Sequence, residues 1–418
     1  MIKKLSKNFV ILVFGEGFSH FMGFIINAYI ARKLGVDGFG VINYSLAFLT
    51  YLLLFSTMGL PTLGAREVAR DHNNTQIIGE ITGVRFFLTL ILYSIFLSFL
   101  FIVPGNPITK KVILLYIFAG FPYAFYLEFV FQAREEMEYV AGGRIIQYLG
   151  YFIFLLILFK DKNQILAVPF SFLGGYIIAT LFLIVIFLHK YKKIYFSINF
   201  HRFHQILTAA LPIGIATIIY QAVINFPVIS LGIFHSDSEV GLFSAGFKII
   251  LLLLIIERAF YYLLFPTFSK QDPPKLEKSL VFFSQLILGI TLFIAVIGFI
   301  FAKNIITLIY GPNFVPGSVV LRILLLYFII APLNTIWGYA LIALNHEKKF
   351  LYVIVIIAIL NLILMLIFGY LFKSSGVAMS MVFSELAGLI IMKKNLNSVV
   401  NFRFFSRFKF EEIKYLSK

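Results

Sequence analysis

SLVFFSQLILGITLFIAVIGFIFA, residues 279–302, runs for 24 positions between Lys278 and Lys303 without a charged side chain. As a helix it spans about 36 Å, enough to cross the roughly 30 Å hydrocarbon layer of a bilayer. The rest of the chain repeats this theme. Of 418 residues, 61% are hydrophobic and 13% charged, and the mean hydropathy is +0.96; a soluble domain is about half apolar and a quarter charged. A soluble fold is therefore excluded. Segments of alternating polarity, the mark of a membrane β-barrel, are not the pattern, and a chain in lipid satisfies its own backbone through helices. The fold class is all-α integral membrane. Cysteine is absent, which excludes disulfides and thiolate metal sites.

Outward from 279–302, the apolar stretches predict twelve spans. Six lie near 8–32, 38–63, 77–103, 109–134, 140–159 and 165–189, and six near 204–232, 238–268, 278–302, 315–344, 350–372 and 376–396. This divides the chain into an N-terminal six-helix lobe (1–189), a linker (190–203, KYKKIYFSINFHRF), a C-terminal six-helix lobe (204–396) and a basic tail (397–418). The linker either lies along the inner headgroups or simply joins the lobes. There are 35 Lys and Arg against 19 Asp and Glu, a net charge of +16. With the amino terminus inside, 23 of the basic residues fall on inner segments, Arg134 and Arg144 among them; eight fall on outer loops and four within spans. The positive-inside rule thus places both termini in the cytoplasm of a cell membrane, and the basic charge reports topology rather than a nucleic-acid partner. Glu16 interrupts the first apolar run, which favours a retained span over a cleaved signal peptide.

Six spans per lobe is an even number, so both lobes enter the membrane in the same sense. Weak self-similarity supports a parallel repeat: Asn27 answers Asn225, Phe39-Gly40 answers Val240-Gly241, and Arg66 to Asp71 answers Lys270 to Lys275. Parallel repeats of this kind rock about a central cavity in transporters.

Five stretches carry a family resemblance: IARKLGVDGFGVINYSLAF (30–48), GLPTLGAREVAR (59–70), FQAREEMEYVA (131–141), LIYGPNFVPGSVVLRILLL (308–326) and LNHEKKF (344–350). Together they resemble the Wzx-type polysaccharide flippases of the multidrug/oligosaccharidyl-lipid/polysaccharide (MOP) exporter superfamily. The resemblance implies a MATE-like, V-shaped bundle of two lobes; the expected functional unit is a monomer. It also implies a lipid-linked oligosaccharide as substrate, moved on its polyprenyl diphosphate from the inner to the outer leaflet. Deep charges would then be substrate contacts. On residue chemistry alone, Gly35, Gly38 and Gly40 supply a turn between the first two spans. Arg66, Glu67, Arg70 and Asp71 form a charged helix end, read either as an inner gate that latches the lobes or as a solvated loop.

A charge at the bilayer centre costs about 2.5–3.5 kcal/mol even on the lenient insertion scale, so deep polar residues point to function. Glu16, His20, Gly23 and Asn27 recur at helical spacing and form one stripe. Glu16 with His20 is the candidate coupling site for a proton or sodium ion; an interhelical hydrogen bond is the alternative. Thr217, Gln221 and Asn225 form a second, uncharged stripe suited, like Asn27, to a sugar-lined cavity. Lys248, Arg85, Arg258 and Arg322 are the intramembrane cations, candidates for the diphosphate headgroup, with Lys248 first and Arg85 second. Glu257 lies beside Arg258. Glu128 with Gln132, Asn361 and Glu385 read as links between packed helices.

No Walker loop, dinucleotide fingerprint, HExxH site or nucleophile elbow is present in a usable context. No catalytic residue, metal or cofactor is expected, and energy comes from a gradient or the movement is passive. A cation-coupled multidrug-type exporter is the second reading. A polytopic polysaccharide polymerase or glycosyltransferase is the third, disfavoured because such enzymes usually need a sizeable outer loop and the outer connections here are short.

Overall fold

The computed structural model describes residues 2–400, 402 and 404, apart from 73–74, 103–105, 192–199, 256–267 and 269–272. Every regular element among them is helical. The chain divides into two compact units, Met1–Ile229 and Ser230–Lys418. Among the described residues, eight helices are long and apolar enough to cross a membrane. Large apolar side chains such as Phe101 and Leu308 stand more than 70% exposed, as a lipid-facing surface requires. The chain is a multi-pass membrane protein.

Unit 1 begins with α1 (Ile2–Thr57), a 56-residue element broken at Gly35. The backbone there has φ 72°, a left-handed value that glycine adopts without a Cβ penalty. A second break, at Met58 and Gly59, leads into α2 (Leu60–Arg70), which has proline in its first turn. α3 (Thr75–Ile102) follows. The next stretch is interrupted twice, giving α4 (Pro107–Phe118), α5 (Gly120–Ala124) and α6 (Glu128–Ala133). Asn106 caps α4 through the backbone N–H of Ile108. α7 (Met137–Leu158) and α8 (Ala167–Tyr191) pack closely, with Gly150 and Gly175 admitting the neighbouring backbone. The core of the unit gathers Leu60, Ile78, Val130, Phe131, Leu183 and Phe187.

The unit boundary falls within α9 (Phe200–Phe234), not in the expected linker. The reason lies in the first half of this helix. Ile206 and Ala210 are buried in the core of unit 1, Gly214 lies against the backbone of Met58, and Arg202 bonds Glu80 at 2.8 Å. Most of 190–203 and of the tail lies outside the described residues.

Unit 2 contains α10 (Asp237–Leu253), α11 (Pro273–Tyr310), α12 (Gly317–Ala343) and α13 (Glu347–Asn397). α13 is 51 residues long and broken at Lys373, φ 53°. Lysine is strained in that region, and Glu239 supports it. This carboxylate accepts from the Ser374 backbone N–H at 3.2 Å and the Ser374 hydroxyl at 2.5 Å, and lies 3.8 Å from the Lys373 ammonium. It thus serves as an N-terminal cap supplied by another helix.

Several predicted spans change form. α1 and α13 each cover two expected spans as one broken element, 109–134 is split into three helices, and 238–268 is described as a helix only through its first part.

Candidate functional site

In unit 1, the part of α1 before the Gly35 break lies alongside α7. Asn8 donates to the carbonyl of Glu135 at one end, and Lys33 to that of Lys160 at the other. Between them the seam is tight. A Cβ on Gly15 would stand 2.6 Å from that of Ala141, and one on Gly23 would stand 3.2 Å from the Tyr148 ring. This approach sets Glu16 near Arg144, close enough for the carboxylate to act on the guanidinium electrostatically.

The interruption between α5 and α6 supplies the next charge. A chain break within an apolar span leaves carbonyls without helical partners, and in lipid each must find a donor. Thr180 donates to the carbonyl of Pro122 at 3.2 Å. Arg85 donates to those of Tyr123 at 2.6 Å and Tyr126 at 3.2 Å, with its guanidinium 5.1 Å from the Tyr123 ring centre. α6 then restarts with Glu128, whose carboxylate accepts from Gln132 at 2.8 Å and from Arg144 at 2.5 Å. Arg144 stands seven residues into α7, about 10 Å along it. The pair is not sealed: the two side chains are 27% and 19% exposed. Tyr126, Tyr123 and Tyr176 lie close enough to feel the charge of Glu128. A tyrosine-rich wall around an ion pair is suited to a polar, anionic ligand.

The expected headgroup cations separate. Arg85 is corrected: at 2% exposure, with two backbone carbonyls held, it secures the helix break and offers nothing to a ligand in this state. Arg322 bonds the carbonyl of Phe299 at 3.2 Å and lies over its half-exposed ring, on the apolar flank of α12. Lys248 is half-buried on α10, with no hydrogen bond or ion pair among the described residues. Arg258 and Glu257 lie outside the described residues.

Glu16 and His20 approach to 3.9 Å, at 27% and 44% exposure. Asn27 donates to the carbonyl of Gly23, and Asn225 to that of Gln221, so both amides are satisfied within their own helices. Thr217 lies on α9, its side chain outside the described residues. Around the expected inner gate, Glu67 pairs with Arg66 at 2.9 Å and Arg70 at 3.4 Å within α2, and Asp71 ends the helix. In unit 2, Asn361 bonds Ser384 and Glu385 bonds Asn334, the helix links expected of them. Glu128 differs, because its partner is an arginine that stays 27% exposed.

Sequence reasoning placed Arg144 at an inner helix end and missed its role. A signal was present: Glu128 and Arg144 stand seven and nine residues either side of Glu135, whose φ of 57° marks the turn, so the hairpin sets them at similar depth. A groove of about 520 Å³ lies elsewhere, lined by Phe154, Leu158, Leu166 and Phe170 with Asn163 and Gln164. It holds no charge and is unsuited to an anion.

Comparison with known proteins decides the family. The polysaccharide biosynthesis protein family matches residues 5–272, well over half of the chain. The chain belongs to that family. Among its relatives, a protein of Escherichia coli (strain K12) named "Putative O-antigen transporter" is 22% identical over 393 residues, covering 91% of this chain and 94% of its own. A protein of the same name from Shigella dysenteriae is 24% identical over 406 residues, covering 93% and 99%. Two solved structures share the fold. An inward-facing multidrug resistance MATE family transporter of the MOP superfamily has a TM-score of 0.71 at 13% identity, covering 91% of this chain and 95% of its own. The lipid II flippase MurJ, inward closed, has a TM-score of 0.70 at 15% identity, covering 98% and 90%. The resemblance read from the sequence is thereby confirmed, as is the all-α membrane bundle.

Proposed function

We propose that the chain is a flippase, a transporter and not an enzyme, that carries a polyprenyl-diphosphate-linked oligosaccharide from the inner to the outer leaflet of the cytoplasmic membrane. It does so as a monomer of twelve spans, both termini cytoplasmic, by alternating access between two six-helix lobes. The single observation that carries this reading is the partly exposed Arg144–Glu128 pair, set among tyrosines inside apolar helices. A charge pair kept accessible at such depth is costly unless a polar ligand uses it. Family membership and the names of the curated relatives support the same reading.

In this scheme Lys248, Arg258 and Arg322 are further candidate contacts for the diphosphate on its path. Gln221, Asn225 and Asn27, with Thr217 on the same stretch of sequence as the first two, are the candidate sugar contacts. Glu16 with His20 binds the coupling proton or sodium ion, and Arg66, Glu67, Arg70 and Asp71 rearrange as the inner gate opens. The test is reconstitution of the purified chain in liposomes carrying a polyprenyl-diphosphate-linked oligosaccharide, with glycan exposure read by an impermeant lectin. Protein-dependent exposure is expected. Exposure equal to that of empty liposomes contradicts the reading. Efflux of a cationic dye in place of glycan movement would favour the multidrug-type exporter.

A further inference from the structure

Two features of the unit 1 cluster are unexplained by packing alone. The first is the Arg144–Glu128 pair itself, joined at 2.5 Å yet accessible on both sides. The second is Tyr126. Its ring is buried at 5% exposure, its hydroxyl has no hydrogen-bond partner among the described residues, and it stands 3.0 Å from where a Cβ of Gly143 would lie, next to Arg144 in the chain. A buried hydroxyl without a partner is unfavourable, and native structures rarely retain one without a reason. Here an acidic oxygen acceptor brought to Arg144 would supply the missing partner.

We infer that Glu128 is a built-in stand-in for the substrate's diphosphate: the incoming anion displaces its carboxylate from Arg144 and takes the Tyr126 hydroxyl as a second donor. This rests on the flippase reading and assigns its headgroup contact to unit 1. The arrangement answers a problem every carrier of an anion faces. An unpartnered arginine in an apolar helix is unfavourable, and an arginine that binds its cargo too well does not release it. A tethered carboxylate resolves both, because it neutralises Arg144 when the site is empty and competes for it when the site is full. Gln132 holds the carboxylate in place, and Arg85 fixes the helix break from which Glu128 projects. Arg85 is therefore a positioning residue.

The experiment measures binding of farnesyl diphosphate to the purified full chain, with farnesol as the neutral control and inorganic pyrophosphate as competitor. Glu128→Gln removes the competing charge and is expected to bind farnesyl diphosphate about tenfold tighter than wild type, the scale of a modest charge-pair difference. Tyr126→Phe is expected to bind it about threefold more weakly with thermal stability unchanged, since the hydroxyl holds nothing in the empty state. The double variant R144Q/E128Q, whose amides can still bond each other, is expected to lose at least about tenfold of the preference for diphosphate over alcohol. Wild-type or weaker affinity in Glu128→Gln overturns the exchange. An undiminished preference in R144Q/E128Q overturns the site, and does so even if Glu128→Gln fails to fold. Failure of glycan exposure in liposomes with these shifts intact refutes the transport reading alone; intact exposure with unshifted affinities refutes this inference alone.

Discussion

Two sets of polar groups in the apolar helices, one in each unit, are held in opposite ways. In unit 2, Asn334 bonds Glu385, Asn361 bonds Ser384 and Trp337 bonds Ser284, and Asn334, Asn361, Ser284 and Ser384 are buried. In unit 1, Glu16, Glu128 and Arg144 stand partly open, and Arg85, sealed from the surface, is fixed to backbone carbonyls. Links between buried amides, hydroxyls and an indole hold helices together; open charges are costly for stability and are retained where something must bind. The contrast teaches that depth in the membrane does not by itself identify a ligand contact. What a side chain does depends on whether its hydrogen bonds are already taken by the fold.

Several substitutions would break or sharpen this contrast. The largest effect is expected from Arg144→Ala, which leaves Glu128 without its countercharge: a loss of about 3–5 kcal/mol of stability, read as a fall in detergent-solution melting temperature. Arg85→Ala frees two carbonyls at the α5–α6 break and should lower stability by about 2–4 kcal/mol, with Arg85→Lys intermediate because an ammonium can still reach one of them. Gly15→Leu forces the α1–α7 seam apart and should lower stability by about 1–3 kcal/mol, measured in the same way. Glu385→Gln in unit 2 keeps an acceptor for Asn334, so stability should change by no more than about 1.5 kcal/mol and glycan exposure should stay at the wild-type rate. Arg66→Ala on the exposed end of α2 should change stability by less than about 0.5 kcal/mol. If it instead abolishes transport at unchanged stability, the inner gate gains its support.

How legible each feature was in the sequence follows from the range of the interaction behind it. The spans could be read because hydrophobic length is a local property, as was the turn at Gly35, where glycine announces a left-handed backbone. The stripe of Glu16 and His20 could be read because helical periodicity brings them to 3.9 Å. The break at Lys373 could not, because its support is Glu239, 135 residues before Ser374. Arg85 was visible as a deep cation, but its partners are carbonyls freed by a chain break about 40 residues later, and no side-chain pattern signals those. Arg144 was hidden by its closeness to a turn, although the hairpin about Glu135 sets it opposite Glu128. The assignment of α9's first half was missed because Ile206, Ala210 and Gly214 carry no marker of which core they join.

The central claim is that the open charge pair of unit 1 handles the anionic headgroup while the sealed links of unit 2 only hold helices. Lectin-read flipping of a polyprenyl-diphosphate-linked oligosaccharide tests it most directly, comparing wild type, R144Q/E128Q and Glu385→Gln in liposomes at equal protein content. The account predicts a rate at least about tenfold lower in R144Q/E128Q, the kinetic equivalent of about 1.4 kcal/mol, and an unchanged rate in Glu385→Gln. Wild-type flipping by R144Q/E128Q would contradict it.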